Sequence, residues 1–486
     1  MASRREPYST QARASLAAGA VAVSAANVLL AGPYTALLFN LGFWAFLLAL
    51  LRAQGLGWRD FRYLLPLPAL YYVTFAGRRG LSSSYDMVLG ADAARYLKEA
   101  AELTAGVRHL GYAVITWPYV ALSRAGRLLG PEISDPAGGY EAGGGPLPEP
   151  FGLGVEYLHL QSALIGAIAV VLLARILGGL GAEGWRRWGI AYGFGLSFSV
   201  WMLAGVLDPQ IVSVMLLLLL LLGLLRYLEH PGETGWLEPC AICTLAVSMS
   251  IENLYMPLLF GVAWWMRRRP RSPRDFLEPA LFALALAVAL GTFLLAAAAA
   301  AGPRLYTVDM TRFGVPDGIV SHLRVFTTLY LEIGPGLAPA ELGRTAAQVF
   351  VMAVRAQPGV PVDRYRFDAE ALATPANGLY AALMVALVIV AAAGLRRHDG
   401  RARAFIAVLV AGLVARQAFV SVYDRWESVL FSLPSLALLW LLLGIGIAAA
   451  PLEGRRERLL AATLMVLLAL LIVSNAAYVL DVPTRS

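Results

Sequence analysis

Asp86 and Asp92 open the most polar stretch in a chain otherwise given over to hydrocarbon. Residues 90–112, "GADAARYLKEAAELTAGVRHLGY", hold three acids, three bases and His109. From Asp92 onward, Tyr96, Glu99 or Ala100, and Leu103 recur at helical spacing. Asp92 therefore stands at a helix start, where free amide groups and the helix dipole favour a carboxylate. A carboxylate so placed can act as a cap, or can take and orient the proton of an attacking hydroxyl. A second stretch, "YDRWESVLFSLPSLALLW" (423–440), supplies Tyr423, Arg425 and Glu427. A guanidinium there suits a phosphate, as a permanently charged two-pronged donor. The plainer reading pairs Arg425 with Asp424 or Glu427 as an interfacial anchor. A third stretch, "SIENLYMPLLF" (250–260), carries Glu252 with Asn253 and Tyr255 beside it. An ionisable group at membrane depth is costly and generally faces a cavity or a partner.

Other polar residues carry less chemistry. Asp208 in "VLDPQ" reads as a turn residue before proline. Arg304, Asp309, Arg312, His322, Arg324 and Glu332 fall in 301–376; the stretch could carry acceptor or phosphate contacts but matches no motif, and most of these charges read as solvated surface. Cys240 and Cys243 form a CxxC inside an apolar run, with no second pair or histidine cluster, and read as packing residues. No zincin motif, phosphate loop or nucleophile elbow occurs, and no ligand cluster marks a metal site. The sequence names no cofactor and leaves a divalent cation open.

The elements that must hold these residues are membrane spans. Of the 486 residues, 59% are hydrophobic and 15% charged, with a mean hydropathy of +0.66; an average soluble domain is about 25% charged. Apolar runs close to the ~20 residues needed to cross a bilayer lie near 13–31, 34–51, 61–77, 155–178, 188–206, 209–227, 238–252, 254–266, 277–300, 377–395, 404–422, 428–449 and 459–480. The run at 61–77 and the pair 238–252/254–266 are short, as broken or tilted helices are. The expected fold is an all-α polytopic membrane protein of about 13 transmembrane helices, forming one integral domain over 1–486. The net charge of +7 does not point to nucleic acid. It gathers in "GWRRWG", "RYLEH", "RRRPRSPR", "RRHDGRAR" and "EGRRER", which all fall on one side, the cytoplasmic one by the positive-inside rule. The basic N-terminus reads as a retained cytoplasmic end rather than a signal peptide. Two long segments, 78–153 and 301–376, are then external loops carrying short amphipathic helices, and Asp86 and Asp92 lie just outside the third span.

Spacing adds a family resemblance. The acid at 92, followed by Tyr96, a small residue and "HLGY" (109–112), resembles the first external loop of GT-C-type membrane glycosyltransferases; Leu110 and Ala113 stand where that family has prolines. "WPYVALSRAGRLL" (117–129) is similar to the helix that follows there. Residues 423–440 resemble the family's later arginine–proline element, with Arg425 and Pro434 in the matching places. The resemblance implies a donor sugar on a polyprenyl phosphate, an acceptor that is lipid, glycan or protein, and a site at the external face of a bacterial inner membrane. It implies Asp92 as base, with Asp86 as the substitute. Arg425, helped by His109 or a loop arginine, would steady the leaving phosphate. Tyr112, Tyr423, Glu252 and Glu427 complete the substrate- and phosphate-binding set, and inversion at the anomeric carbon would follow. Membrane lipids are the remaining partners. Two rival classes stay open: an enzyme like the O-antigen ligases and polymerases, leaning on His322 and the loop arginines, and a secondary transporter. A non-catalytic membrane scaffold is the bland third.

Overall fold

A computed structural model describes residues 66–76, 153–205, 208–229, 235–270, 272–301, 338–352, 354–355, 374–398, 400–422 and 432–481. Every regular element among them is helical. In chain order these are α1 Pro66–Ala76, α2 Leu153–Gly179, α3 Gly184–Gly195, α4 Phe198–Gly205, α5 Pro209–Glu229, α6 Leu237–Met249, α7 Met256–Arg268, α8 Leu277–Ala301, α9 Pro339–Ala347, α10 Pro375–Leu395, α11 Gly400–Val422, α12 Leu433–Ala449 and α13 Arg455–Asp481. Short 3₁₀ turns, Ile251–Tyr255 and Pro273–Phe276, join α6 to α7 and lead into α8. The expected spans at 13–31 and 34–51 lie outside the described residues. From 61–77 onward each expected span coincides with a helix, or with a broken pair.

Length and composition make six of these helices able to cross a membrane: α2, α5, α8 with its leading turn, α10, α11 and α13. Most are apolar on all sides, which is the pattern of a helix surrounded by other helices or by lipid. Their positions divide the two cases. The apolar window of α5 is 89% buried, whereas that of α8 is 11% buried. α5, α2 and α12 thus form the centre, and α8, α10 and α13 present Leu284, Ile389 and Val473 outward, where hydrocarbon would cover them. Prolines open α1, α5, α9 and α10, positions where the missing amide donor costs nothing.

Close packing between α10 and α12 rests on glycine. A Cβ on Gly446 would overlap the Ala391 backbone, and one on Gly394 would overlap the Gly446 carbonyl. Small residues allow such backbone approach, and among membrane helices van der Waals fit takes over from the hydrophobic effect.

Charge is sorted to one end. Arg401 Nη1 meets Glu229 Oε1 at 2.9 Å, Arg226 Nη2 meets Glu238 Oε1 at 2.7 Å, and Arg186 Nη2 meets Glu457 Oε1 at 3.2 Å. Arg186 also donates to the carbonyls of Ile447, Ala448, Ala450 and Leu452. Those carbonyls lie in the last turn of α12 and just past it, where a guanidinium supplies donors and complements the helix dipole. This basic end is the side expected to face the cytoplasm.

Candidate functional site

Polar side chains buried inside the bundle collect toward the opposite end. The α6–α7 hairpin explains how one of them gets there. Each arm has 13 residues, about 20 Å of helix, shorter than the ~30 Å hydrocarbon core. The hairpin tip therefore stays among the helices, and it carries Glu252, 3% exposed. Three helix lengths agree on its height. Gln210 stands about 24 Å above Arg226 along α5, Arg416 about 22 Å above Arg401 along α11, and Glu252 about 22 Å above Glu238 through α6 and its turn.

At that level Gln210 Nε2 donates to Glu252 Oε2 at 2.5 Å, and Arg416 Nη2 lies 3.6 Å from the same oxygen. Arg416 Nη1 donates to the Glu252 carbonyl at 3.3 Å. Its guanidinium lies near two aromatic rings, 5.6 Å from the Tyr255 centroid and 4.9 Å from that of Phe419. Arg416 is fully buried. Asn253 Nδ2 donates to Ser213 Oγ at 2.9 Å and to the Ala246 carbonyl at 2.7 Å, which locks the turn that presents Glu252. The Ser250 and Tyr255 hydroxyls are buried at the same tip with no hydrogen-bond partner among the described residues. Asp208 Oδ1 accepts the Gln210 backbone N–H at 2.7 Å, the turn role expected of it.

A second polar node ties in the segment 338–355. The sequence places this segment in an external loop, and it reaches into the bundle. The Thr345 and Ser421 hydroxyls are hydrogen-bonded to each other at 2.6 Å, and Gln417 Nε2 donates to Thr345 Oγ1 at 2.9 Å. Tyr380 Oη donates to the Phe350 carbonyl at 2.7 Å. Arg355, 4% exposed, gives its Nε to Ser474 Oγ at 2.8 Å and its Nη1 to Asn377 Oδ1.

The segment also repairs a broken helix. The 188–206 run is split into α3 and α4 at Leu196–Ser197. The freed Phe198 N–H donates to the Val354 carbonyl at 2.9 Å, and Asn475 Nδ2 donates to the Leu196 carbonyl at 2.7 Å. Non-helical backbone at membrane depth is tolerated only where such partners exist. Ser197 Oγ accepts from Trp440 Nε1 at 3.1 Å, and Ser199 and Ser432 hydroxyls meet at 3.4 Å.

Of the residues the sequence singles out, Glu252 is described and lies in this site. Asp86, Asp92, His109, Tyr112, Tyr423, Arg425 and Glu427 lie outside the described residues. Arg416, Gln210 and Arg355 were not anticipated. The signal for Arg416 was present: one cation inside the apolar run "AGLVARQAF". Both cysteines are buried and free, and Cys240 Sγ lies 3.9 Å from the Phe282 carbonyl, a packing position. Among the described residues no group of three or more potential ligands could hold a metal ion.

Helices that cross a membrane many times, a sorted basic end and a buried ionic site toward the other end define an integral, multi-pass membrane protein. By overall shape the chain is similar to ArnT from Cupriavidus metallidurans, crystallised with undecaprenyl phosphate, at 13% identity over 87% of this chain and 75% of that one, with a TM-score of 0.45. It is similar to the Archaeoglobus fulgidus oligosaccharyltransferase in its apo form at 13% identity and a TM-score of 0.43, over 88% of this chain and 57% of that one. The chain thus spans little more than half the length of the archaeal enzyme. No family model and no curated protein matches it.

Proposed function

We propose that the chain is a GT-C-like membrane glycosyltransferase that moves a sugar from a polyprenyl-phosphate carrier to an acceptor at the external membrane face. The observation carrying this reading is the concentration of buried polar groups toward the end opposite the arginine-rich one, in the half of the bundle toward which the motif residues at 86–112 and 423–427 are expected to open. The motif resemblance supplies the chemistry. Asp92, or Asp86 in its place, takes the acceptor hydroxyl proton as that oxygen attacks the anomeric carbon. Arg425 and His109 stabilise charge growing on the departing lipid phosphate. One displacement by one hydroxyl inverts the anomeric centre. Tyr112, Tyr423 and Glu427 contact the substrates. The Glu252–Arg416 pair serves as a rigid floor, and 338–355 as a roof fixed at both ends. The groove for the prenyl tail is provided by apolar helices.

The test uses purified protein in liposomes containing polyprenyl-phosphate sugars, with release of free polyprenyl phosphate as the readout. Wild type should release it in the presence of acceptor extract, and Asp92→Asn should lose the activity while keeping its elution profile. Full activity in Asp92→Asn and in Asp86→Asn would sink the assignment of the base.

One observation favours a second reading. An ion pair inside the spans, such as Glu252–Arg416, is also what a secondary transporter uses to couple ions to substrate. That reading makes Glu252 essential to flux and Asp92 dispensable, the reverse of the order expected here. The ligase-like alternative would need loop cations at the reacting centre. Among the described residues of that loop, the buried cation Arg355 is committed to Asn377 and Ser474.

A further inference from the structure

The basic end of the α7–α8 hairpin concentrates positive charge on a short stretch of chain. Residues 267–278 hold five arginines against two carboxylates, Asp275 and Glu278. Both acids are already engaged. Asp275 Oδ2 accepts the Ser272 backbone N–H at 2.9 Å in a capping box. Glu278 accepts from Tyr227 Oη at 3.0 Å and pairs with Arg268 at 3.4 Å. Arg267 lies over the Tyr227 ring, 4.0 Å from its centroid. Arg269 and Arg274 have no ion pair among the described residues, and both are exposed.

Two apolar tracks run down from this cationic cap. Along the preceding 3₁₀ turn and α7 the exposed positions are Leu254, then Leu258 and Trp265, 56% exposed, one turn before Arg268 and Arg269. On α8 they are Leu277, Leu281, Leu284 and Val288, beginning directly after exposed Phe276. Aromatic side chains bridge α7 to α8 and its leading turn, Phe260 stacked on Phe282 at 4.2 Å and Trp264 against Phe276 at 5.2 Å. Uncompensated guanidinium groups, interfacial aromatics and twin hydrocarbon tracks match the parts of a two-chain anionic lipid: headgroup, glycerol region and acyl tails.

We propose that this end of the hairpin is a binding site for an anionic phospholipid of the adjoining leaflet. Arg269 and Arg274 hold the phosphate, Trp265 and Phe276 lie at the glycerol level, and the acyl chains follow the two tracks. The site is independent of the transferase reading. Arg269 adopts a left-handed conformation, φ 45°, that turns the chain back at the headgroup level. Pro273 and the capping box then fix the return.

The test is native mass spectrometry of the full-length protein released from detergent, with phosphatidylglycerol or phosphatidylcholine of matched acyl chains added. Wild type should retain phosphatidylglycerol preferentially. A cationic side chain near an anionic surface changes binding roughly fivefold, so Arg269→Gln with Arg274→Gln should lower retention about 25-fold. Arg455→Gln with Arg456→Gln, which removes two exposed arginines from the same end on α13, should leave it unchanged. Equal retention of the two lipids by wild type would overturn the proposal. So would wild-type retention in the 269/274 variant, or equal losses in both variants, which would indicate diffuse surface charge. A dimer that Trp265→Ala dissociates would also overturn it, by assigning the face to a second copy of the chain.

Discussion

Glu252→Gln should destabilise this protein more than most single substitutions, and the geometry says by how much. The Arg416–Glu252 pair closes at 3.6 Å with both side chains about 1% exposed. At an effective dielectric of ~20, two unit charges at that distance attract by about 5 kcal/mol. The cost of stripping water from both charges cancels much of that gain, so the intact pair adds little net stability. Breaking it from one side removes the attraction and keeps the cost, typically about 3–5 kcal/mol. Gln at 252 retains the shape and can still meet Gln210, which places the expected loss near the lower bound, about 3 kcal/mol. Arg416→Met should lose a similar amount. The double variant should recover most of it, because no unpaired charge is left in the interior. The assay is a double-mutant cycle on unfolding in mixed micelles, followed by tryptophan fluorescence. Single losses that largely vanish in the double variant amount to a coupling of several kcal/mol, above the roughly 0.5–3 kcal/mol usual for contacting residues, while independent ones add. Additive losses in the double variant, or single losses under about 1 kcal/mol, would refute the picture of a desolvated pair.

Three further outcomes follow from the packing. Gly446→Val should overpack the α10–α12 contact, since even a Cβ there meets the Ala391 backbone; a loss of about 1–3 kcal/mol or more is expected in the same unfolding assay. Tyr71→Phe removes the buried hydrogen bond to the Gly195 carbonyl at 2.6 Å, beside the break between α3 and α4, and should cost about 1–3 kcal/mol with unchanged secondary structure by circular dichroism. Asn475→Ala strips the Leu196 carbonyl of its donor and should raise hydrogen exchange at the α3–α4 junction and at 354–355 above that of α5.

The fold was legible because lipid imposes a strong rule: a run near twenty apolar residues becomes a helix, and arginines mark its ends. The short runs at 238–252 and 254–266 carried their own message, and the structure realises it as two 13-residue helices with a 3₁₀ tip. The break at Leu196–Ser197 had a local cause in view, the Gly and Ser residues of "YGFGLSFS", a composition that favours kinks. Apolar content stays high across it, so by sequence the run reads as a single span. Arg416 was overlooked for a similar reason, since one cation barely lowers the hydropathy of a 23-residue helix. The burial of 338–355 could not be read locally. Thr345, Phe350, Val354 and Arg355 look like loop residues until Ser421, Tyr380, Phe198 and Ser474 arrive from distant parts of the chain. Glu252 was found by its charge at membrane depth, whereas its partners needed tertiary structure.

The most direct test of the central claim is a mass-spectrometric comparison of the glycolipids and glycoproteins made by cells lacking the gene, complemented with wild type or with Asp92→Asn. A lipid-phosphate-dependent transferase at the external face requires one sugar-sized mass to vanish from a defined acceptor. That mass should return with wild type and stay absent with Asp92→Asn. An unchanged set of glycans in the cells lacking the gene would contradict it.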